Sequence, residues 1–309
     1  MAIKRQISEF VRGNHFLFRL YYFLRYSLPY YIFKEKYDIY MTQKKYHSVF
    51  GRKLDLNNPQ TLNEKIQWLK LNIHEDFHTV CADKLAVRNY WKKFGNDSLV
   101  PLLFHTYRYK DITSENLPDF PCIVKCNTGC GYYQIIRDKN KVDFKALQKE
   151  CQRWMIGNYY YRSQEWQYKN IKPCILVEKL LLDKNGHIPN DYKLHFFNGE
   201  LQFVYCSVDR EGANYRSIYS PQWEKLDIEW VSRENHKITP QESIVCPATF
   251  PQMLKIGKVI AENFKYVRVD FYDVDGKLYY GEITLHHGSG YDTFVPESYD
   301  LYYGKRLHI

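Results

Sequence analysis

Charged residues occupy alternating positions in a segment near the end of the chain that otherwise has the pattern of an ordinary hairpin. The sequence VRVDFYDVDGKLYYGEIT, residues 267–284, alternates apolar side chains around an Asp-Gly turn, which predicts two antiparallel strands. Arg268 and Asp270 lie on the first strand, and Glu282 lies on the second. A buried, unpaired carboxylate is costly or becomes protonated. These carboxylates therefore indicate a nearby cation, water or a functional ligand.

A divalent cation would satisfy this arrangement. Glu282 and Thr284 share one face of their strand because strand side chains alternate with a period of two, and Asp270 can face them from the other strand. Mg²⁺ prefers oxygen ligands of this kind and shares its coordination shell with phosphates. We therefore predict Asp270, Glu282 and Thr284 as metal ligands. Arg268 shares the face of Asp270, where it either neutralises that carboxylate or stabilises an oxyanion formed in a reaction.

A lysine and a glycine-containing loop form a second candidate cluster. In PCIVKCNTGCGYY, residues 121–133, Lys125 ends an apolar strand, and Gly129 and Gly131 follow in a loop. Glycine lets backbone N–H groups approach an anion closely, and lysine supplies a point charge. The pattern predicts a phosphate-binding loop, although neither GxxxxGK[ST] nor GxGxxG is present. The alternative is a structural lysine beside a glycine hairpin.

Two further strands carry charge among apolar residues. The segment ILVEKLL has Glu178 and Lys179 in its middle. They are placed to meet the adenine or ribose of a nucleotide, or they are solvated charges on an edge strand. In DYKLHFFNGE, Asp191 and Lys193 lie on one face of a strand, two residues apart. Lys193 would there help to hold a transferring phosphate.

The elements that must position these residues follow in a recognisable order. Thr61 and Glu64 form a capping box that starts a helix, and a second helix ends near Gly95. Short β-strands, a helix at 143–157, antiparallel hairpins and a helix at 251–264 come next. This order predicts an α+β protein with two β-containing lobes and a ligand in a cleft. We divide the chain into a helical region (1–95), a first lobe (96–176) and a second lobe (177–309).

Composition limits the class of protein. The chain has 309 residues, 45% of them hydrophobic, and no apolar run of the roughly 20 residues that a membrane-spanning helix needs. Eight cysteines without a recognisable secretory leader predict reduced thiols and a cytoplasmic protein. The net charge of +9 suits an anionic partner, but no basic cluster predicts nucleic-acid binding.

The first 33 residues are rich in aromatic and leucine side chains interrupted by arginines. The spacing of Arg12, Arg19 and Arg25 fits a basic amphipathic helix that runs up to Pro29. Such a segment can lie at an anionic membrane surface, which would place the protein peripherally at the inner face of the cell membrane. It can equally pack on the body of the protein or on a partner.

Taken in order, these motifs resemble the ATP-grasp superfamily and, within it, the TupA-like family, named for teichuronopeptide biosynthesis and found among capsule and exopolysaccharide genes. The resemblance spans roughly residues 55–305. It is carried by NPQTLNEKIQWLKL, ADKLAVRNY, IVKCN, WQYKNIKPCILVEKLL, DYKLHFFNGELQFV, VRVDFYDVDGKLYYGEIT and GSG.

The resemblance implies an ATP-grasp fold, in which two α+β subdomains grip ATP and Mg²⁺ bridges its phosphates, preceded here by a mainly helical N-terminal region. The implied roles are phosphate contact by Lys125, Gly129 and Gly131, adenine or ribose contact by Glu178 and Lys179, phosphate contact and catalysis by Lys193 and Arg268, and metal binding by Asp270, Glu282 and Thr284. Thr284 stands where the superfamily usually has asparagine, and His286-His287 replaces a segment that usually contains proline.

The implied reaction is ATP-dependent ligation of a carboxylate to an amine through an acyl phosphate, with a uronic acid or amino acid as the activated group and an acidic glycan as the expected partner. Four alternatives remain open, one of which is a binding module that binds ATP without hydrolysing it. A glycosyltransferase would use an Asp-x-Asp motif, for which Asp273 and Asp275 are the candidates. A glycan kinase on the same fold would leave the phosphate on its product. A zinc site would use Cys126 and Cys130 with the His286-His287 pair.

Overall fold

The computed structural model of the chain describes residues 14–208, 211, 215–231 and 243–309. Residues 1–13 of the predicted amphipathic segment lie outside this range. The chain forms two compact units. The first contains the described residues up to Lys44 together with Leu102–Lys179, and the second contains Lys45–Pro101 together with Leu180–Ile309. Each unit has helices and its own antiparallel sheet, as the predicted α+β class requires.

The helices are short, and no helix of the described chain has both the length and the apolar character needed to cross a membrane. In chain order they are α1 (His15–Tyr22), α2 (Leu28–Phe33), α3 (Glu35–Phe50), α4 (Leu62–Asn72), α5 (Asp76–Ala82), α6 (Val87–Trp91), α7 (Phe144–Ile156), α8 (Tyr159–Ser163), α9 (Phe250–Ala261) and α10 (Ser298–Gly304).

Local sequence signals explain where two of these helices begin. The Thr61 hydroxyl accepts the Glu64 N–H at 3.3 Å, and the Glu64 carboxylate accepts the Thr61 N–H at 3.0 Å, so the predicted capping box does start α4. The chain stays helical past Pro29, and the aromatic segment also continues beyond it. Pro29 lies in the first turn of α2, where its missing N–H costs nothing, after a π-helical turn at Phe23–Ser27.

The first unit contains a four-stranded antiparallel sheet. Its strands are β1 (Leu102–Thr106), β2 (Cys122–Cys126), β3 (Tyr133–Ile136) and β4 (Ile175–Lys179), in the order β1-β4-β2-β3. Val124, Ile175 and Val177 are fully buried and pack with Leu147 and Cys151 of α7. Because β4 lies inside the sheet, the alternative that ILVEKLL is an edge strand is wrong.

The second unit contains a six-stranded antiparallel sheet. Its strands are β5 (Asp191–Phe197), β6 (Glu200–Val208), β7 (Tyr215–Tyr219), β8 (Lys225–Leu226), β10 (Tyr266–Val274) and β11 (Lys277–Thr284), in the order β11-β10-β5-β6-β7-β8. A two-stranded sheet pairs β9 (Glu229–Val231) with β12 (Thr293–Val295).

Both faces of the six-stranded sheet are buried. On β5, Leu194 and Phe196 belong to a core that includes Met253 and Ile260 of α9. The next residue, Phe197, faces the other way, into a second core shared with α4 and α10. Side chains alternate along β10 in the same way. The apolar residues on either side of Arg268 and Asp270 face the α9 core, and Arg268 and Asp270 face the opposite side of the sheet.

The predicted hairpin at 267–284 is formed by β10 and β11. Asp275 and Gly276 make its two-residue turn with φ values of 52° and 83°, as a type I′ turn requires. The register shifts between Val269 and Phe271, so β11 contains one extra residue opposite Asp270. This residue is Gly281, where a Cβ atom would lie 2.7 Å from the backbone oxygen of Asp270. Glycine therefore permits the close approach of the two strands beside the charged residues.

Candidate functional site

Strand pairing in the second unit places a lysine beside the buried carboxylate of Asp270. Lys193 on β5 is directly opposite Asp270 on β10. The Lys193 ammonium donates to Asp270 Oδ2 at 3.1 Å and also forms an ion pair with Asp191. Asp270 is only 3% exposed. A carboxylate buried to this extent requires a charged partner, which Lys193 supplies.

Arg268 holds the same carboxylate from its own strand. Its Nε donates to Asp270 Oδ1 at 2.7 Å, and its Nη2 donates to Asp270 Oδ2 at 2.7 Å. The two bonds form a bidentate guanidinium–carboxylate pair. Burial lowers the pKa of Arg268, but the carboxylates of Asp270 and Glu282 outweigh this effect and leave the pKa above its ordinary value. Arg268 is thus a permanent cation at this site.

Glu282 is the most accessible carboxylate of this group. Its side chain is 35% exposed, and its oxygens lie 3.5 Å from Lys84 Nζ and 3.6 Å from Arg268 Nη2. One guanidinium nitrogen therefore lies between Asp270 and Glu282. Thr284 is opposite Arg268 in the register, and its hydroxyl is buried with no hydrogen-bond partner among the described residues.

The oxygen donors fit a hard divalent cation, with one condition. The Thr284 hydroxyl has no hydrogen-bond partner among the described residues, and the half-buried carboxylate of Glu282 is held at longer distances than that of Asp270. Both oxygens of Asp270 already accept from cations, so Asp270 would act as a ligand only after Lys193 or Arg268 had moved away. The described residues contain no group of three or more His, Cys, Asp and Glu side chains placed to hold a metal ion.

A histidine outside the predicted set contacts the far side of Arg268. His287 Nδ1 lies 3.0 Å from Arg268 Nη1, and its Nε2 lies 3.2 Å from Asp292 Oδ2. Arginine only donates, so Nδ1 accepts and Nε2 carries the hydrogen, although Nε2 makes no hydrogen bond of good geometry to Asp292. Burial lowers the pKa of His287, against the opposing effect of Asp292. Gly288 follows at φ 54°, and a Cβ atom there would lie 2.4 Å from Asp292 Cγ.

The first unit pairs two of the predicted nucleotide-binding residues with each other. Lys125 on β2 and Glu178 on β4 lie on adjacent strands, and Lys125 Nζ is 2.5 Å from Glu178 Oε2. Glu178 is 3% exposed, whereas the Lys125 side chain is 23% exposed. Lys179 is exposed at the end of the strand. Lys125 is therefore partly accessible to solvent and neutralises the buried carboxylate of Glu178.

The loop that follows Lys125 needs glycine at two positions. Gly129 and Gly131 have φ values of 75° and 76°, in the left-handed region. The Cys126 N–H donates to the Tyr132 oxygen at 2.9 Å and closes the loop. At Gly129 a Cβ atom would lie 2.8 Å from the Tyr159 ring, whereas at Gly131 it would meet open space. The loop thus has one packed glycine and one open glycine.

The structure brings together Lys193, Arg268, Asp270 and Glu282, with Thr284 beside them in the register, and separately Lys125 with Glu178 ahead of the glycine loop. The residues that sequence reasoning did not assign to the ATP and magnesium site are Lys84, Asp191, His287 and Asp292, of which His287 was named only for the zinc alternative. Asp191 alone had a usable signal, since it precedes Lys193 by two residues on one strand. The others contact the cluster from helical or loop segments, where no periodicity marks them.

The fold and the sequence together define an ATP-grasp protein. The model of the TupA-like ATP-grasp family matches residues 64–308, and the chain belongs to this family. Membership confirms the family and the fold that the motifs predicted, and it supports the predicted class of ATP-dependent ligase. No curated protein sequence shows significant similarity to the chain.

Solved structures of ligases resemble the chain at low identity. D-alanine–D-alanine ligase from Bacillus anthracis matches at 15% identity and a TM-score of 0.38, over 71% of this chain and 59% of that chain. The Helicobacter pylori enzyme matches at 15% identity and a TM-score of 0.38, over 74% of this chain and 62% of that chain. ATP-grasp ligase PsnB, in a complex with minimal precursor, Mg and ADP, matches at 10% identity and a TM-score of 0.38, over 72% of this chain and 58% of that chain. The chain thus spans about three fifths of the length of these proteins, and TM-scores this low carry no weight for its chemistry.

Proposed function

We propose that the chain is an ATP-dependent carboxylate–amine ligase that acts in the biosynthesis of a surface polysaccharide. In this proposal it uses ATP and Mg²⁺, activates the carboxylate of a uronic acid or amino acid, and forms an amide with an amine. The site residues are those predicted from the sequence. The polysaccharide context rests on the family resemblance and on the net charge of +9, which suits an acidic glycan.

The buried charge cluster around Asp270 is the observation that carries the proposal. Arg268, Lys193 and Asp270 form close ion pairs on a sheet that is otherwise packed with apolar side chains. Buried ion pairs add little to stability compared with well-packed apolar residues. Two cations and an accessible carboxylate on one sheet face instead suit a reaction in which anionic charge moves.

The substrates account for every bond that forms or breaks in the proposed reaction. A carboxylate oxygen of the substrate attacks the γ-phosphorus of ATP and ADP leaves, giving an acyl phosphate. The amine nitrogen then attacks the acyl carbon, and phosphate departs with the former carboxylate oxygen while the amine loses a proton. The chain contributes positioning and charge, because both the transferring phosphoryl group and the acyl phosphate are anionic.

Named residues take the following parts in this proposal. Lys193 and Arg268 offset the negative charge of the reacting groups, and Lys125 holds ATP phosphate with the backbone of the glycine loop. Glu178 accepts hydrogen bonds from the adenine amino group or the ribose. Glu282 and Thr284, joined by Asp270 once its pairing relaxes, would hold Mg²⁺. Bound Mg²⁺ withdraws negative charge from the phosphates.

Oxygen labelling tests the reaction directly. The purified full-length protein is given ATP, Mg²⁺, a uronic acid labelled with ¹⁸O in its carboxylate, and a panel of amino acids as amines. A ligase releases phosphate that carries one labelled oxygen, in an amount equal to the amide found by intact-mass analysis. If ATP turnover does not depend on the carboxylate, or the label stays in the acid, the proposed ligase reaction is wrong.

The same assay separates the two alternative enzymes. A glycan kinase would release ADP without phosphate and give a product that has gained a phosphate group. A glycosyltransferase would turn over a UDP-sugar without ATP. The contacts of the candidate Asp-x-Asp motif favour a structural role, since Asp273 accepts from Thr249 Oγ1 at 2.6 Å and from the Gly276 N–H at 2.8 Å, and Asp275 accepts from the Lys184 N–H at 2.8 Å.

Genetic comparison tests the biological context. Mass spectrometry of the surface polysaccharide from cells with and without the gene should show an amide-linked substituent only when the gene is present. An unchanged polysaccharide would remove the biosynthetic part of the proposal while leaving the reaction chemistry to the labelling assay.

A further inference from the structure

Exposed apolar side chains are concentrated in one stretch of the sequence of the first unit. Of the twenty large hydrophobic residues that are exposed in the described chain, ten lie between residues 16 and 40. Phe16 is 71% exposed and Ile32 is 60% exposed. We call this set the N-terminal aromatic face. It comprises Phe16, Leu20, Tyr21, Phe23, Leu24, Tyr31, Ile32, Phe33, Ile39 and Tyr40.

Tyrosine contacts fix the other side of the same helices to the body of the first unit. The Tyr22 hydroxyl donates to the Asn158 oxygen at 2.5 Å, and Lys169 Nζ donates to the Tyr30 hydroxyl at 2.8 Å. The Tyr160 hydroxyl donates to Asp38 at 2.5 Å. The N-terminal aromatic face is therefore held in a defined orientation before any partner binds, which lowers the entropic cost of binding.

Positive charge accompanies the exposed apolar residues. Between residues 14 and 34 the sequence contains Arg19, Arg25 and Lys34 and no aspartate or glutamate. The guanidinium of Arg25 lies 5.5 Å from the Tyr26 ring centroid, and Lys34 Nζ lies 5.8 Å from that of Tyr31. Long basic side chains beside aromatic rings can keep their charge in water or against lipid phosphates while their stems cover apolar surface.

We infer that the N-terminal aromatic face lies in the interface of an anionic lipid bilayer. Phenylalanine and leucine would enter the acyl boundary, tyrosine would lie at headgroup level, and the basic residues would contact lipid phosphates. Charge argues against a second copy of this chain as the occupant. Two such faces in contact would bring together Arg19, Arg25, Lys34 and Lys36 of both copies, with Glu35 as the only exposed acidic residue between residues 14 and 40 to offset them.

Vesicle co-sedimentation of the full-length protein tests the inference without ATP or substrate. We expect the protein to bind vesicles that contain phosphatidylglycerol, to bind phosphatidylcholine vesicles far less, and to be released by salt. Replacing Arg19 and Arg25 by glutamine should weaken binding on the order of tenfold or more. Replacing Leu20, Leu24 and Ile32 by serine should weaken it at least as much on both kinds of vesicle.

Matched variants on other surfaces of the first unit serve as controls. Lys141→Gln removes an exposed positive charge, and Phe120→Ser removes an exposed ring, and neither residue belongs to the N-terminal aromatic face. Both controls should bind anionic vesicles as the unmodified protein does. Thermal unfolding of every variant checks that the fold is as stable as that of the unmodified protein.

Three outcomes would overturn the inference. The first is no binding to anionic vesicles, and the second is binding that the variants of the N-terminal aromatic face leave unchanged. The third is concentration-dependent self-association in analytical ultracentrifugation that the serine variant abolishes while vesicle binding is absent. That result would make this face a contact between copies of the chain. Because the assay needs no catalysis, its result is independent of the proposed ligase reaction.

Discussion

Arg268 and His287 are joined by a hydrogen bond of 3.0 Å between Nη1 and Nδ1, on the side of the guanidinium that faces away from Asp270. The contact fixes the tautomer of the histidine, whose Nε2 lies 3.2 Å from Asp292 Oδ2 without a hydrogen bond of good geometry. Asp292, His287, Arg268 and Asp270 thus form a continuous row of close polar contacts. The outer members set the position of the guanidinium, as outer groups do around many reactive centres.

Removing the imidazole should disturb Arg268 without removing its charge. We expect His287→Ala to lower ATP turnover about tenfold or more. The variant His287→Asn should recover much of the loss, because an amide oxygen near the former Nδ1 can accept from Arg268. His187→Ala, at an exposed histidine of the same unit, is the matched control. Equal loss in the alanine and asparagine variants at unchanged thermal stability would contradict the positioning role.

Asp270 and Glu282 should respond differently to loss of charge. Glu282→Gln should abolish most turnover and raise the Mg²⁺ concentration needed for half-maximal activity, with a loss of stability under about 1 kcal/mol because its pairs are partly exposed. Asp270→Asn should abolish turnover and also cost about 3–5 kcal/mol, since it removes the bidentate partner of the buried Arg268, which keeps only the half-buried Glu282 at 3.6 Å. Urea unfolding and an Mg²⁺ titration measure the two effects. Equal stability losses would contradict this account.

Lys125 should contribute to both ATP affinity and folding. Lys125→Ala should weaken ATP binding and destabilise the protein, because it leaves the buried Glu178 carboxylate without the ammonium now 2.5 Å away. The double variant Lys125→Met/Glu178→Gln should recover stability but not ATP affinity. Calorimetric titration with ATP and thermal unfolding separate these effects. Normal ATP affinity in the single variant would remove Lys125 from the proposed site.

The two glycines of the loop offer an internally controlled comparison. Gly131→Ala should cost about 1–2 kcal/mol, since its Cβ meets open space and only the left-handed backbone resists it. Gly129→Ala should cost more and should reduce ATP binding further, since its Cβ would also press on the Tyr159 ring. Thermal unfolding and ATP titration test the order. Indistinguishable variants would show that the loop readjusts freely.

Acid should destabilise the protein partly through His78. Burial is the largest cause that lowers the pKa of His78 to about 4, with His286 and His74 adding to it. Because the folded pKa lies below the ordinary 6.5, the stabilising contribution is complete above pH 6.5 and is lost as the pH falls toward 4. As the pH falls from 7 to 4.5, the free energy of unfolding should therefore decrease by about 2 kcal/mol less in His78→Gln than in the unmodified protein. Chemical denaturation at both pH values measures this difference, with His187→Gln as the exposed control.

Local chemistry made part of this architecture predictable. The capping box at Thr61 and Glu64 fixed the start of α4, and the Asp-Gly turn fixed the pairing of the last hairpin as far as Phe271. The shared face of Arg268 and Asp270 follows from strand alternation, whereas the register shift beyond Phe271, which pairs Thr284 with Arg268, had no signal in the turn. These features depend on residues close together in the sequence, whose conformational preferences do not need the rest of the fold.

Long-range pairing was not predictable in the same way. Apolar residues around Glu178 suit either an edge or an interior strand, and only the β1-β4-β2-β3 order decides between them. Lys193 meets Asp270 because β5 pairs with β10 across more than seventy residues. His287 lies in a segment where Gly288 and Ser289 both have positive φ, so no repeating pattern indicated which way its ring would point. The roles of these residues in ATP and metal binding stay predictions.

The discontinuity of the two compact units has a practical consequence for dividing the gene. The chain passes between the units after Lys44, Pro101 and Lys179. Leu62 and Ile66 of α4 pack in one core with Phe203 and Trp230, which the sequence supplies more than a hundred residues later. A polypeptide starting at Leu180 would therefore leave that core open. Separately expressed halves should become soluble only when they are produced together, which makes this protein a candidate for a split reporter rather than for domain-by-domain dissection.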